Sequence, residues 1–355
     1  MNLRNHIQYI RELITEFKAK EIVPSKEEEN IVWNNILQEI QVARIRRRTY
    51  RLKVAFGSIS AAAMLVGAIW AVHLHFYENK NDIDKHYAAI SNIATTATDK
   101  ILLLEDNNQL SYIRKDDVID YKQSEKQVII GGKSIDKNKE YKLHQLIVPS
   151  KQQAHLVLSD GSTLHINAST RVIYPNKFKK GNREIYVDGE IFIDVKPDKT
   201  APFIVKTHSC DIQVLGTAFN VQSYSTDENS EVALLRGSIK LKDNSNGELL
   251  LKPNELAMIS NTSIIGKKDV VASDYIAWTN QEMKLNATPL STIFKRLEKF
   301  YGVTIEYDPN VGEMKMYGNL SLKCSIRELL NRLEFTVPII AHEISANTFH
   351  ISVTK

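Results

Sequence analysis

Residues 183–195 read REIYVDGEIFIDV, and the order of polar and apolar side chains in them sets the class of fold open to the chain. Ile185 and Val187, then Ile191, Ile193 and Val195, stand two apart, the spacing that lines one face of a β-strand. Asp188-Gly189 between the two runs is a turn signal, so the stretch reads as a hairpin. The same alternation extends outward in both directions. Leu156/Leu158, Leu164/Ile166, Phe203/Val205, Ile212/Val214, Phe219/Val221, Val232/Leu234, Ile239/Leu241 and Leu249/Leu251 repeat it, with Asp160-Gly161 and Asn246-Gly247 as further turns. Residues 145–262 therefore predict a two-layer antiparallel sandwich or flattened barrel.

Upstream, Ile101–Leu104, Leu110–Ile113 and Val128–Ile130 are short apolar runs between polar turns, which extends the β-rich domain to 101–262. Gly131-Gly132-Lys133 lacks the spacing of a phosphate loop and reads as a hairpin turn. Downstream, Asn261–Ser273 reads as a loop, after which the pattern changes. Glu282–Asn286 is a strand; Pro289 opens a helix with Leu290, Ile293, Phe294, Leu297 and Phe300 on one face, and Gly302 stops it. Strands over Val303–Tyr307 and Lys315–Leu320, a helix over Ser325–Glu334, and strands over Pro338–Ile344 and Thr348–Val353 complete a small α+β domain over 278–355, with its helices on one face.

Toward the N-terminus the character is different again. Residues 54–72, VAFGSISAAAMLVGAIWAV, contain no ionisable side chain, and as a helix they cover most of a roughly 30 Å hydrocarbon layer. Arg44, Arg46, Arg47, Arg48, Arg51 and Lys53 crowd one flank, while Glu78, Asp82 and Asp84 dilute the lysines on the other. The positive-inside rule keeps the N-terminus in the cytoplasm and exports the C-terminal bulk. About fifty residues, many of them charged, precede the span, so it is no cleaved leader. The transmembrane helix is placed at 53–76 and a polar spacer at 77–100. The net charge of +4 is carried entirely by residues 1–53, next to the bilayer, where it sets orientation and meets anionic lipid; the balanced remainder excludes a nucleic-acid surface.

The cytoplasmic piece, residues 1–50, carries two amphipathic stripes. Leu3, Ile7, Ile10, Ile14 and Phe17 recur at helical spacing; after Pro24, a capping box at Ser25–Glu28 opens a second helix bearing Trp33, Ile36, Leu37 and Ile40. Two such helices are too small to bury a core. They pack as a weak hairpin, dimerise, or are completed by a partner, the usual use of such anchors.

Chemistry-bearing constellations are scarce. Cys210 and Cys324 stand far apart and read as free thiols, with a disulfide left open. No metal-ligand spacing occurs, and no cofactor is implied. Glu190 and Asp194, four apart on a strand, read as a solvated face and not as an acid–base pair. Asp160, Ser162 and His165 share a hairpin without a nucleophile elbow. No catalytic residues are assigned.

HQLIVPSKQQAHLVLSDGSTLHINASTRVIYPNKF, NREIYVDGEIFIDV, APFIV and VLGTAFNV, in that order, resemble the FecR family of transmembrane anti-sigma factors. The correspondence runs through Asp160, Gly161, Ser162, Gly189, Glu190, Gly216, Thr217, Phe219 and Asn220, read as structural positions: tight turns at Asp160–Ser162 and Gly189, a kink or bulge at Gly216-Thr217. Ser159, Ile185 and Ile191 are mild departures. Trp278 followed by Pro289-Leu290, Ile293, Leu297 and Phe300-Tyr301 resembles the C-terminal domain of Bacteroidetes members. The resemblance implies a single-pass inner-membrane protein with no enzymatic activity. Its residues 1–50 would bind an extracytoplasmic-function sigma factor through the two stripes, and its periplasmic bulk would respond to the signalling domain of a TonB-dependent outer-membrane receptor. The alternative is a membrane-tethered periplasmic glycan-binding module.

Overall fold

A computed structural model describes residues 99–104, 110–114, 117–122, 127–130, 133–136 and 141–354, with isolated helical positions at Arg11, Glu12, Thr15, Glu16, Glu27 and Gln38. The apolar stretch 54–72, the spacer up to residue 98 and the stripe residues of the tail lie outside the described residues. Among the described residues no helix is long and apolar enough to cross a membrane. The chain divides into two compact units, Met1–Asn79 and Lys80–Lys355.

The second unit begins with β1 (Ile101–Leu104), β2 (Leu110–Ile113), β3 (Val118–Asp120), β4 (Gln127–Ile130), β5 (Lys133–Asp136) and β6 (Leu143–Val148). There follow β7 (Ala154–Val157), β8 (Thr163–Ile166), β9 (Thr170–Pro175), β10 (Arg183–Asp194), β11 (Phe203–Lys206) and β12 (Cys210–Val214). The β-rich lobe ends with β13 (Ala218–Ser223), β14 (Asn229–Arg236), β15 (Ile239–Asp243), β16 (Glu248–Leu251), β17 (Glu255–Ser260) and β18 (Ser263–Asp269).

These strands form two facing layers. One runs β2-β1-β6-β9-β10-β11-β12-β15-β16. The other runs β5-β4-β3-β7-β8-β10-β13-β14-β17-β18. Pairing is antiparallel except at β10–β11 and β3–β7. Leu146, Val172, Ile185 and Val205 from the first layer meet Leu164, Ile191, Phe219 and Val232 from the second in one core. Sequence alternation thus locates the inner faces.

β10 belongs to both layers. Its first half pairs with β9 and β11, its second half with β8 and β13. Asp188-Gly189, expected as a hairpin turn, is instead the point where one strand of 12 residues passes from sheet to sheet. Gly189 has φ +137°, and a Cβ there would lie 2.4 Å from Thr170 Oγ1. The glycine is needed for a crossing, which a turn signal imitates because both require backbone that a side chain forbids. The loop expected over Asn261–Ser273 is also corrected: β18 pairs along β17, and Ala272–Asn280 form a 3₁₀ helix. The mostly exposed side chains of β18 carry no apolar alternation strong enough to announce an edge strand.

The C-terminal lobe contains β19 (Glu282–Pro289), α1 (Leu290–Tyr301), β20 (Thr304–Tyr307), α2 (Pro309–Gly312), β21 (Lys315–Ser321), α3 (Ile326–Glu334), β22 (Ile339–Ser345) and β23 (Thr348–Val353). The order matches the expectation except for the short α2, which stands where only a turn was expected, and the strands divide into two small sheets, β19-β21 and β20-β23-β22. A bulge between Leu285 and Thr288, with Ala287 at φ 49°, interrupts the first. α1 buries Leu290, Ile293, Phe294, Leu297 and Phe300. Gly302, at φ 64°, ends it by donating its N–H to the Glu298 carbonyl (2.8 Å), a left-handed cap. Ser325 accepts from the Glu328 N–H to start α3 (3.2 Å). Both outer strands of the three-stranded sheet are touched by helix carboxylates: Glu298 accepts from the Ile305 N–H and Glu334 from the Ala341 N–H, each at 2.7 Å.

Cys210 and Cys324 are free thiols, the first buried in the inter-sheet core and the second half-buried in the other lobe. Burial pushes the Cys210 thiol up to about 11. Alkylation of the native protein at pH 8 is expected to label Cys324 first, and Cys210 only after denaturant is added; peptide mapping checks the order. Gly189→Ala is expected to cost at least about 2 kcal/mol in urea unfolding, because it combines a disfavoured φ with a clash against Thr170.

Candidate functional site

The family-motif residues gather in two places. At the first, the turn between β7 and β8 is pinned to β10. Ser162 Oγ donates to Asp160 Oδ2 (2.7 Å) and accepts from the Lys196 N–H (3.0 Å). Arg183 forms an ion pair with Asp160 (2.9 Å) and also donates to the carbonyls of Lys196 and Ala201. Ser162 is sealed from water, and His165 lies against His155 and Phe192 on the sheet face. The serine is a structural fastener. Nearby, Gly216 packs so closely on Pro197 that a Cβ would come within 2.6 Å of its Cα. Thr217 donates to the Ser238 carbonyl (3.0 Å), and the register shifts between Ala218 and Phe219, just past the Gly216-Thr217 position where a kink or bulge was expected.

The second place lies between the β-rich lobe and the C-terminal lobe. Glu190, on β10 just past the crossing, accepts from Asn167 Nδ2 through Oε2 (2.7 Å) and from Asn220 Nδ2 through Oε1 (3.0 Å). The orientations of both amides are fixed from behind. Asn220 Oδ1 accepts from the indole N–H of Trp278 (3.0 Å), and Asn167 Oδ1 accepts from the Ala168 N–H (2.9 Å). Those two donors have no acceptor capacity, so each amide must turn its NH₂ toward residue 190. Only a group accepting at both atoms satisfies the pair, and an ionised carboxylate does. Burial pushes Glu190 above the ordinary carboxylate range; Arg296 and the two amides pull it partly back. Glu190 is thus no member of a solvated face. Asp194, four residues on, does lie at the surface and pairs with Arg236 (2.7 Å).

Around this carboxylate the C-terminal end of α1 is closed by the other lobe. A helix leaves its last carbonyls without partners. Here Ser169 Oγ donates to the Lys299 carbonyl (2.7 Å) and the Lys151 N–H to that of Phe300 (2.6 Å). Ala168 enters the core of the C-terminal lobe. Lys299 pairs with Asp227 (2.8 Å) and lies over the Tyr224 ring (4.8 Å). Tyr224 donates to the Ala168 carbonyl (3.1 Å). A small cleft of about 40 Å³ remains, with Glu190, Tyr224, Trp278, Arg296 and Lys299 among its lining. That volume holds a water or two.

Of the residues named from sequence, Gly189, Glu190 and Asn220 meet here, whereas Asp160–Ser162 and Gly216–Phe219 serve the sandwich alone. Asn167, Tyr224, Arg296 and Lys299 were missed, since nothing in spacing connects residues so far apart. Leu3, Ile7, Ile10, Ile14, Phe17, Trp33, Ile36, Leu37 and Ile40 lie outside the described residues. Among the described residues no group of His, Cys, Asp or Glu is arranged to hold a metal ion.

The FecR protein profile matches residues 144–240, and the FecR, C-terminal profile matches residues 282–351. Two crystal structures of a candidate anti-sigma factor from Parabacteroides distasonis ATCC 8503, at 2.50 and 1.65 Å resolution, are similar to the chain. Each is 31% identical with a TM-score of 0.54; they cover 60% and 59% of this chain, and 100% and 99% of their own. The chain belongs to the FecR family. No curated protein matches it at a significant level. The family and its anti-sigma neighbours support a role in signal transduction, and both halves of the family pattern contribute to the lobe junction of this FecR chain.

Replacing Glu190 by Gln puts a donor against one of the two locked amides. The substitution is expected to cost about 1–3 kcal/mol, the penalty of a buried unsatisfied polar group. It should appear in urea unfolding as an earlier transition of the C-terminal lobe.

Proposed function

We propose that this chain is a single-pass inner-membrane anti-sigma factor that relays a periplasmic signal to a cytoplasmic sigma factor. The observation that carries the reading is the 31% identity extending over the whole length of a relative designated an anti-sigma factor. In this reading residues 1–50 bind an extracytoplasmic-function sigma factor, residues 53–76 span the membrane and 77–100 follow as a periplasmic spacer. Residues 101–262 form the β-rich domain, and 278–355 receive the signalling domain of a TonB-dependent outer-membrane receptor.

Three features support it. The uncharged stretch 54–72 has arginines on one side only. The tail before it is too short for a core of its own and carries two apolar stripes, so a partner completes it. The two lobes beyond it share one polar junction, so a load on the C-terminal lobe reaches β10 through Trp278, Asn220 and Glu190. A receptor that binds the docked and undocked arrangements unequally would shift their balance, which is all that signalling requires.

Co-purification of the full chain with its sigma factor tests the assignment. Ile10→Asp and Trp33→Asp should each abolish recovery of the sigma factor, because a charge in a helix-in-groove anchor costs several kcal/mol, on the order of 3 or more. Retention by both variants would overturn the stripe as the binding surface.

A further inference from the structure

His155 and His165 stand on either side of a turn with no metal-site spacing in sequence, and the hairpin register makes them neighbours. β7 and β8 pair antiparallel with His155 directly opposite His165. The Leu158 N–H donates to the Ser162 carbonyl (2.9 Å), which sets the hydrogen-bonded positions of this ladder at every second residue from Leu158. The two histidines fall between those positions, where facing side chains stand closest. Their rings meet edge to face with centroids 4.2 Å apart.

The pair lies on the outer face of the second layer, since Leu156, Leu164 and Ile166 enter the core on the other side. His155 is exposed and His165 half-buried. Their neighbours in the same row are apolar, Val118 on β3 and Phe192 on β10, with the Phe192 ring 5.8 Å from that of His165. Among the described residues no hydrogen bond or ion pair engages either imidazole. His144, His208 and His350, by contrast, meet Tyr121, Ser223 and Asp308. Burial lowers the affinity of both rings for a second proton, and each ring's charge would repel the other's, an effect felt at His165. At neutral pH each therefore keeps a free nitrogen lone pair.

We propose that His155 and His165 form a two-point chelate for a borderline divalent transition-metal ion of the Zn²⁺ class. Neutral imidazoles suit such ions, whereas Mg²⁺ and Ca²⁺ call for oxygen ligands. Two Zn–N bonds of about 2.0–2.1 Å at a tetrahedral angle hold ring centres about 5 Å apart. The rings need only part slightly, by a rotation that the exposed His155 is free to make. A closed structural site takes more protein ligands, and no three converge among the described residues; here water completes the shell. The ion staples β7 to β8, and β8 is bonded to the half of β10 that bears Glu190. Asn167, which donates to Glu190, follows His165 by two residues, so occupancy stiffens the strand end that presents the junction amide.

Carbethoxylation of the full chain by diethyl pyrocarbonate, mapped residue by residue by mass spectrometry, tests the chelate. Both rings should react without metal. Zn²⁺ should protect His155 and His165 at one common midpoint, slowing each about tenfold or more at saturation, while Mg²⁺ protects neither. His155→Ala should abolish protection of His165, and His165→Ala that of His155. Unchanged metal-free labelling of the remaining ring shows that the hairpin still forms, and the titration of the parent decides the matter should a variant misfold. Absence of protection in millimolar Zn²⁺, protection of one ring alone, or protection of His165 that survives His155→Ala would overturn the proposal. So would equal protection of every exposed histidine, His342 included, which marks an adventitious ion only.

Discussion

The structure depends on one strand serving two sheets. β10 carries Arg183–Asp188 in the first layer and Gly189–Asp194 in the second, so the register of each layer is tied to that of the other. The crossing needs a residue without a side chain where Thr170 presses against the backbone. It also places the next residue, Glu190, at the rim facing the C-terminal lobe. Thr170 takes part twice, since its hydroxyl accepts from the Glu190 N–H (3.0 Å) as well as filling the space beside Gly189. A single close approach thus aligns the sandwich and aims the carboxylate.

From there the junction follows by hydrogen-bond bookkeeping. Trp278 and the Ala168 N–H can only donate, the asparagines pass that polarity on, and the carboxylate is the one group that absorbs it at both ends. The last carbonyls of α1 need donors, and two turns of the β-rich lobe supply them. Each lobe would leave polar groups unsatisfied if it stood alone. That is a stronger reason for a defined arrangement than apolar contact, which tolerates sliding.

Much of this was legible in sequence. The alternation at Ile191/Ile193 or Val232/Leu234 exists because one side of each strand meets the core and the other meets water. β6 and β9 were invisible for the complementary reason: all their residues are buried, so no alternation marks them. Asp188-Gly189 misled because turn and crossing share a chemistry. The α1 stripe and its glycine stop were readable since helix periodicity and capping are local. The Glu190 cluster was not, as it joins Asn167, Asn220 and Trp278 through topology alone. Trp278 stood out only through family resemblance, and its indole N–H proves to be what makes it useful.

The carboxylates of Glu298 and Glu334 have a consequence for the company the C-terminal lobe keeps. Each occupies a backbone donor on an outer strand of the three-stranded sheet, the group that an incoming chain would seek. A strand trying to extend that sheet must first displace an anion from its donor. Fibre-like growth is blocked at both rims, while β21, whose ladder lies only with β19, has no comparable guard among the described residues.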